Sequence, residues 1–296
     1  MAAILRLYVF HASIFNFNRF MKILLLFFLI GFISCNNNKE PKRVVSPPGY
    51  EFQDPIVVKL PLELDEISGL AYYAPDKSIF AISDEKGKLF KITPFPTLTV
   101  NLWRFATKAD FEEVVLLDSV FYVLQSNGRL NKVQFVSNDT ISNIEIDFPV
   151  DSEMEFEAMF YNPVTKKLEL ICKKCQGEKK KFLNIYTFET GKNVFADSTT
   201  AFDISSIFTE DEKKFDLRIS GAAVHPLTGD IYMVSAINKL LIILDKDHGV
   251  KASYPLNSGI FKQPEGITFA NNGALIISNE AAEAGAADLL IFNYKK

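Results

Sequence analysis

Histidine, cysteine and tryptophan are scarce in this chain of 296 residues, which contains three, three and one of them. The sequence has no HExxH pair, no GxSxG elbow and no glycine-rich phosphate loop, which excludes the common zinc-protease, serine-hydrolase and P-loop active sites. An excess of basic residues is also missing: the formal net charge is −4, whereas nucleic-acid-binding proteins carry a clustered basic surface. We therefore predict no catalytic residues of a familiar type and no nucleic-acid partner.

A long apolar run is missing as well. The strongest run, residues 23–33, has eleven residues, whereas a membrane span needs about 20. It follows Met21-Lys22 and ends at Ser34-Cys35, the pattern of a secretory signal peptide with a small residue before the cut. We expect residues 1–34 to be a signal region, with translation starting at Met21. A longer signal-anchor that includes the apolar residues 1–20 is the alternative.

The cysteine directly after the small residue resembles the lipobox of bacterial lipoproteins. The resemblance implies that Cys35 carries a lipid and becomes the new N-terminus; an uncleaved anchor is the other interpretation. Residues 35–50 are polar and contain prolines, which is typical of a flexible tether. We expect a membrane-anchored protein of the cell envelope, on the periplasmic face or in the outer membrane.

The remainder of the chain, residues 51–296, repeats one unit. Its openings align at five positions separated by steps of 44, 45, 63 and 45 residues: Ser68, Glu112, Glu157, Ser220 and Glu265. Each opening is followed by a short β-rich run, in most copies after a turn sequence, and further short strands follow. Short strands with a period near 45 residues predict the blades of an all-β propeller.

We count five blades, and the 63-residue step leaves room for a sixth or for an insertion around 205–214 that looks helical. The last unit has three strands, because the chain nearly ends after 288–292. Residues 56–60 form a predicted strand with no blade of its own. Pairing this strand into the last blade would close the ring and cover an open sheet edge.

Several openings together resemble the SdiA-regulated family. The matching segments are 66–71, 156–157, 219–222, 264–267 and 277–280. The resemblance spans residues 55–294 and implies a secreted or membrane-attached propeller. It implies little about biochemical activity, because the role of that family is poorly defined.

The repeat openings place carboxylates where the innermost strands should converge. Glu66, Glu112, Glu157 and Glu265 are the candidate ligands of a metal or of a cationic molecule at the channel mouth, and oxygen-rich sites suit calcium. The other interpretation is that these side chains bond backbone amides of neighbouring blades. An unknown protein or small ligand at this mouth is the expected partner.

Cys172 and Cys175 form a CxxC pair that follows a predicted strand. Outside the cytoplasm such a pair can form a disulfide. Two free thiols, or a redox or metal centre, are the alternatives, although no second pair of zinc ligands is present. The sequence favours a binding or scaffolding lipoprotein without catalytic activity. The second hypothesis is a metal-dependent hydrolase of phosphoesters or lactones that uses the channel-mouth carboxylates.

Overall fold

The computed structural model describes residues 45–149, 153–175, 181–197, 199–207, 216–281 and 285–295. Residues 44–296 form one compact unit. Within the described ranges, the chain forms strands and two short 3-10 turns, Leu62–Leu64 and Ser205–Ile207. None of the helices found there could cross a membrane. The predicted signal region and the lipidation of Cys35 lie outside the described residues.

The first strand, β1 (Ile56–Lys59), is followed by five sheets in sequence order. Blade 1 consists of β2 (Ile67–Tyr73), β3 (Ser78–Ser83), β4 (Lys88–Thr93) and β5 (Thr99–Arg104). Blade 2 consists of β6 (Phe111–Leu117), β7 (Val120–Gln125), β8 (Leu130–Ser137) and β9 (Thr140–Ile146). Blade 3 consists of β10 (Glu155–Asn162), β11 (Lys167–Lys174), β12 (Phe182–Glu189), β13 (Val194–Phe195) and β14 (Thr200–Asp203). Blade 4 consists of β15 (Gly221–Val224), β16 (Ile231–Ser235), β17 (Leu240–Leu244) and β18 (Val250–Pro255). Blade 5 consists of β19 (Pro264–Phe269), β20 (Leu275–Asn279) and β21 (Asp288–Phe292), and β1 completes it.

The five innermost strands, β2, β6, β10, β15 and β19, contact one another in a closed ring. The prediction of a five-bladed propeller is therefore confirmed. A sixth blade is not formed by the described residues: the longer step of 63 residues contains β13 and β14, which both pair with β12 of blade 3. In the segment predicted as helical, Ser205–Ile207 is a single 3-10 turn, and residues 208–214 lie outside the described ranges.

The predicted closure by an N-terminal strand is also confirmed. Strand β1 pairs antiparallel with β21, with Ile56 opposite Ile291 and Lys59 opposite Asp288. Lys59 Nζ lies 2.6 Å from Asp288 Oδ2, and the Asp288 side chain is buried. The strand covers the free edge of the last sheet, and this joins the two ends of the chain within one blade.

The ring has two faces, one at each end of its central axis, and the candidate sites lie on these faces. The innermost strands begin at the face that we call the acidic face and end at the opposite face, which we call the N-terminal face. The chain enters the domain at the N-terminal face, because Gly49 O accepts a hydrogen bond from Lys295 N and the Tyr50 hydroxyl donates one to Gly273 O. Gly273 lies in the turn after β19. Part of the predicted tether, residues 45–50, thus contacts the propeller.

Candidate binding site at the acidic face

In several blades, a β-bulge at the start of the innermost strand leaves a residue of the repeat opening without a partner on the neighbouring strand. In β6, Phe111 pairs with Gln125 and Glu113 with Leu124, so Glu112 has no partner across the sheet. In β10 the same break in register leaves out Glu157, and in β19 it leaves out Glu265. A bulge leaves its extra residue unpaired and re-aims the side chain. The recurring sequence motif is therefore a recurring bulge.

Three of the four predicted ligands, Glu112, Glu157 and Glu265, come together at this face. Burial raises the pKa of Glu112 to about 8, and repulsion from Asp110, Glu157 and Glu265 adds to it. Burial likewise raises the pKa of Glu265 to about 8, with added repulsion from Glu280 and Glu157. Carboxylates close together in a buried place disfavour their own ionisation. Both groups are therefore largely protonated at neutral pH.

Glu66, the fourth predicted ligand, belongs to a second group farther along the same face. It repels Asp84 and Glu280, and burial together with this repulsion raises the pKa of both carboxyls. Lys86 Nζ lies 3.6 Å from Glu66 Oε2. The acidic face therefore has two groups of carboxylates, and Glu280, at the end of β20, bridges them.

Lysines neutralise part of this charge. Lys173 makes an ion pair with Glu157, and Lys108 Nζ lies 2.7 Å from Glu85 Oε2. Burial raises the pKa of Glu157, whereas the ion pair with Lys173 opposes that rise. The pKa of Lys239 is lowered by burial, although Glu265 attracts its charge.

Three buried carboxylate oxygens at this face accept no hydrogen bond from the described residues. They are Glu66 Oε2, Asp84 Oδ1 and Glu157 Oε2. A buried oxygen without a donor is costly, by about 1–3 kcal/mol. These oxygens therefore point to a cation or a hydrogen-bond donor as the complement of the site.

Glu113, which sequence reasoning missed, fills the axis of the ring beneath these groups. Its side chain is fully buried, and Oε1 accepts a hydrogen bond from Val114 N at 3.0 Å while Oε2 accepts one from Ala222 N at 3.4 Å. Burial raises the pKa of this carboxyl. A Cβ at Gly69 would overlap Glu113 Oε1, so blade 1 also contacts it. The side chain thus links three blades.

Hydrogen bonds between blades, the alternative role for the openings, occur at some positions and not at others. Ser68 Oγ donates to Glu112 O at 2.5 Å and joins blades 1 and 2. Ser220 Oγ accepts a hydrogen bond from Ala236 N of its own blade, and Ser220 also bonds the Glu265 carboxyl of blade 5. Ser68, Glu113 and the Ser220–Glu265 pair therefore join blades, and the aligned glutamates also line the mouth.

No three His, Cys, Asp or Glu side chains within the described ranges stand close enough together to hold one metal ion. Carboxylate oxygens are nevertheless the donors that calcium prefers, and the unsatisfied oxygens described above supply that chemistry. Calcium binding by Glu66, Glu112, Glu157 and Glu265 stays a prediction. A ligand that contacts both groups of carboxylates would have to pass beside Glu280, which lies between them.

Cys172 and Cys175 lie at the end of β11 and are joined in a disulfide, with Cα atoms 6.1 Å apart. Cys172 is buried in the blade core beside Phe156. The pair lies next to Lys173, whose side chain reaches Glu157. A disulfide here fixes the strand end that carries this lysine.

Two cavities lie away from the acidic face. One, of about 530 Å³, opens at the N-terminal face and is lined by the last residues of the inner strands, among them Tyr72, Leu116 and Phe269. The other, of about 720 Å³, lies between blades 1 and 2 beside Trp103 and Phe135. The first is lined mainly by aromatic and aliphatic residues, whereas the second also has polar residues such as Lys91, Gln134 and Asp139 in its wall.

Comparison with solved structures finds propeller enzymes at low sequence identity. Glutaminyl cyclase from Myxococcus xanthus matches with a TM-score of 0.56 and 12% identity, covering 82% of this chain and 97% of that one. The PQQ-bound aldose sugar dehydrogenase from Streptomyces coelicolor matches with a TM-score of 0.52 and 11% identity, covering 84% and 100%. At these identities the likeness shows the fold alone.

No curated protein matches the chain. The description of the SdiA-regulated family matches residues 48–283, which is most of the chain, and the predicted resemblance is thereby confirmed: the chain belongs to the SdiA-regulated family.

Proposed function

We propose that this protein is a lipoprotein of the cell envelope whose propeller binds a cationic ligand at the acidic face. The observation that carries the binding role is the set of buried carboxylate oxygens of Glu66, Asp84 and Glu157 that accept no hydrogen bond from the described residues. A cation bound beside Glu66 and Asp84, or one bound beside Glu157, would satisfy the oxygens of that group. It would also relieve the repulsion that keeps Glu112 and Glu265 protonated.

The ligand is a small organic ammonium compound or calcium. Both are cations that carboxylate oxygens bind, calcium by direct coordination and an ammonium group by charge-assisted hydrogen bonds. Because the carboxyls of Glu112 and Glu265 must lose protons to meet the cation, binding should strengthen as the pH rises through about 8.

Binding is favoured over catalysis by the way in which the axis is filled. Glu113 occupies the ring centre and is held by backbone amides of two blades. The mouth is therefore a blind cup with a fixed floor. A metal-dependent hydrolase of phosphoesters or lactones is the second candidate. The argument in its favour is that burial raises the pKa of Glu112 and Glu265 to about 8, near the range that general acids and bases need.

Calorimetric titration with calcium and separately with spermidine, at pH 6 and pH 8.5, tests the binding role. We expect one saturable binding event whose dissociation constant is at least about tenfold lower at pH 8.5 than at pH 6. A tenfold change per pH unit corresponds to the release of one proton on binding. Glu265→Gln and Glu157→Gln should each weaken it, whereas Asp139→Asn, on an exposed turn of the N-terminal face, should not. Absence of binding for both cations at both pH values would refute the proposal.

The outcome with calcium also separates the two candidates. Stoichiometric calcium that depends on Glu157 and Glu265, together with turnover of a phosphoester or a lactone, would favour the hydrolase. Binding of spermidine without turnover would favour the binding module.

The anchor is tested by fractionation of the bacterial envelope. If Cys35 carries the lipid, Cys35→Ala should move the protein from the membrane fraction to the soluble fraction, whereas Cys172→Ala should not. Retention of the Cys35→Ala chain in the membrane fraction would contradict lipidation and favour the uncleaved anchor.

A further inference from the structure

The N-terminal face displays exposed apolar side chains on four of the five blades. Phe95 in blade 1, Val164 in blade 3 and Leu227 in blade 4 lie in turns at this face, and Val136 in blade 2 lies near the end of β8 that reaches it. Their exposed fractions are 53%, 65%, 63% and 46%. Scattered exposed apolar residues are ordinary on a protein surface. Here they share the face at which the cavity of about 530 Å³ opens.

The chain enters the domain by this same face. Gly49 and Tyr50 are held there by Lys295 N and Gly273 O, and Val45, just before them, is exposed. Nine residues, 36–44, separate Cys35 from Val45. A fully extended segment of this length reaches at most about 35 Å, and a flexible one averages about half of that. A lipid on Cys35 would therefore hold this face close to the membrane.

The opposite face has the wrong chemistry for a lipid surface. It is lined by the carboxyl groups of Glu66, Glu112, Glu157 and Glu265, and polar groups of this kind are costly to bury against a lipid surface. Exposed apolar residues also occur elsewhere: Ile56, Val57, Leu102, Ile144 and Val194 lie on outer strands, and Leu62 and Ile237 lie outside the N-terminal face. Of these, Ile237 is in the turn between β16 and β17, at the acidic face, with an exposed fraction of 66%. It offers a control that matches Val164 in exposure and differs in face.

We propose that the N-terminal face is a membrane-contacting surface. The apolar turns of blades 1–4 enter the headgroup region of the bilayer, and the acidic face points away from it. The proposal rests on the anchoring proposed above, and it adds an orientation: the carboxylate cup is presented to soluble cations and partners. Insertion of apolar side chains to a depth of about 5–10 Å is typical of proteins that lie on a membrane.

Depth-dependent quenching of introduced tryptophans tests this orientation. The full chain is reconstituted into vesicles of phosphatidylethanolamine and phosphatidylglycerol that contain lipids brominated on the acyl chains. Val164→Trp and Phe95→Trp are compared with Ile237→Trp, each after subtraction of the parent chain, whose only tryptophan is Trp103. We expect quenching of the first two to exceed that of Ile237→Trp by about threefold or more, since only inserted side chains approach the bromines.

Equal quenching at both faces, or none at Val164→Trp and Phe95→Trp, would overturn the proposal, and the second result would leave a protein partner as the occupant of this face. Both positions are exposed turns, and Phe95→Trp replaces one aromatic ring by another, so that misfolding is readily recognised by comparing the two variants. Titration with calcium or spermidine measures cation binding at the acidic face only. Failure of the membrane contact is thereby distinguished from failure of cation binding.

Discussion

The carboxyls of Glu112 and Glu265 should make the stability of the propeller fall as the pH rises. In the folded state the pKa of each is raised to about 8 from an ordinary value of 4.5. A raised carboxyl pKa favours the folded state while the group is protonated. This advantage is fully present below about pH 4.5 and is lost progressively as the pH rises through 8.

The size of the effect follows from the shift. About 3.5 pKa units at 1.36 kcal/mol per unit correspond to about 5 kcal/mol for one carboxyl that titrates alone. Glu112 and Glu265 both repel Glu157, so their contributions overlap and do not add. We expect the free energy of unfolding of the calcium-free compact unit, residues 44–296, to fall by about 3–5 kcal/mol between pH 5 and pH 8.5, which is a large part of the stability of an ordinary domain.

Glu112→Gln isolates the cause. An amide cannot ionise, so at pH 8.5 this variant should be more stable than the parent by about 2–4 kcal/mol, and at pH 4.5 it should be nearly equal. Urea unfolding followed by circular dichroism measures both, and the exposed Glu63→Gln serves as the control. A flat profile of the parent between pH 5 and pH 8.5, or a Glu112→Gln chain less stable than the parent at pH 8.5, would refute the reasoning. Calcium at pH 8.5 should restore the lost stability if the cation binds the same carboxyls.

Two further substitutions test the ring itself. Lys59→Ala removes the ion-pair partner of the buried Asp288 and should lower the free energy of unfolding by about 2–4 kcal/mol in the same urea experiment. The control Lys174→Ala breaks an exposed ion pair and should change it by less than about 1 kcal/mol. Gly69→Ala would place a methyl group against Glu113 Oε1 and Val114 N and should lower the melting temperature by several degrees. The control Gly191→Ala adds a methyl group in open space and should leave the melting temperature nearly unchanged. A Lys59→Ala chain as stable as the parent would contradict the closure by β1, and a Gly69→Ala chain that melts with the parent would contradict the close packing of the axis.

The fold could be read from the sequence because the repeat openings have a structural cause. Each opening is the start of an inner strand, and in four of the blades it contains a shift in strand register. Such a shift needs the same local chemistry in every copy, so the openings recur at steps of 44 or 45 residues. The step of 63 residues was ambiguous, because nothing in the pattern distinguishes extra strands in one blade, β13 and β14, from a degenerate blade.

The candidate site was predicted in part. Alignment of the repeats puts Glu112, Glu157 and Glu265 in one column, and in the structure they lie together; Glu66, two residues before the aligned Ser68, was added to the ligand set but belongs to the neighbouring group. The pattern of shared carboxylates does not include Glu113, which has no acidic counterpart in the other repeats. Its own column contains Gly69, Ala158, Gly221 and Gly266. A single glutamate in a column of small residues was the available signal, since small residues leave room for one long side chain at the axis.

The filled axis explains why the two faces can carry different chemistry. Glu113 is bound by Val114 N and Ala222 N and is packed against Gly69, so the centre of the ring is occupied by protein. A ligand at the acidic face therefore meets a closed floor and leaves by the way it came. The cavity at the N-terminal face has a different lining, mostly of aliphatic and aromatic residues. Because Glu113 lies between the two faces at the axis, a change at Val164 should leave the proposed affinity of the acidic face for a cation unaltered.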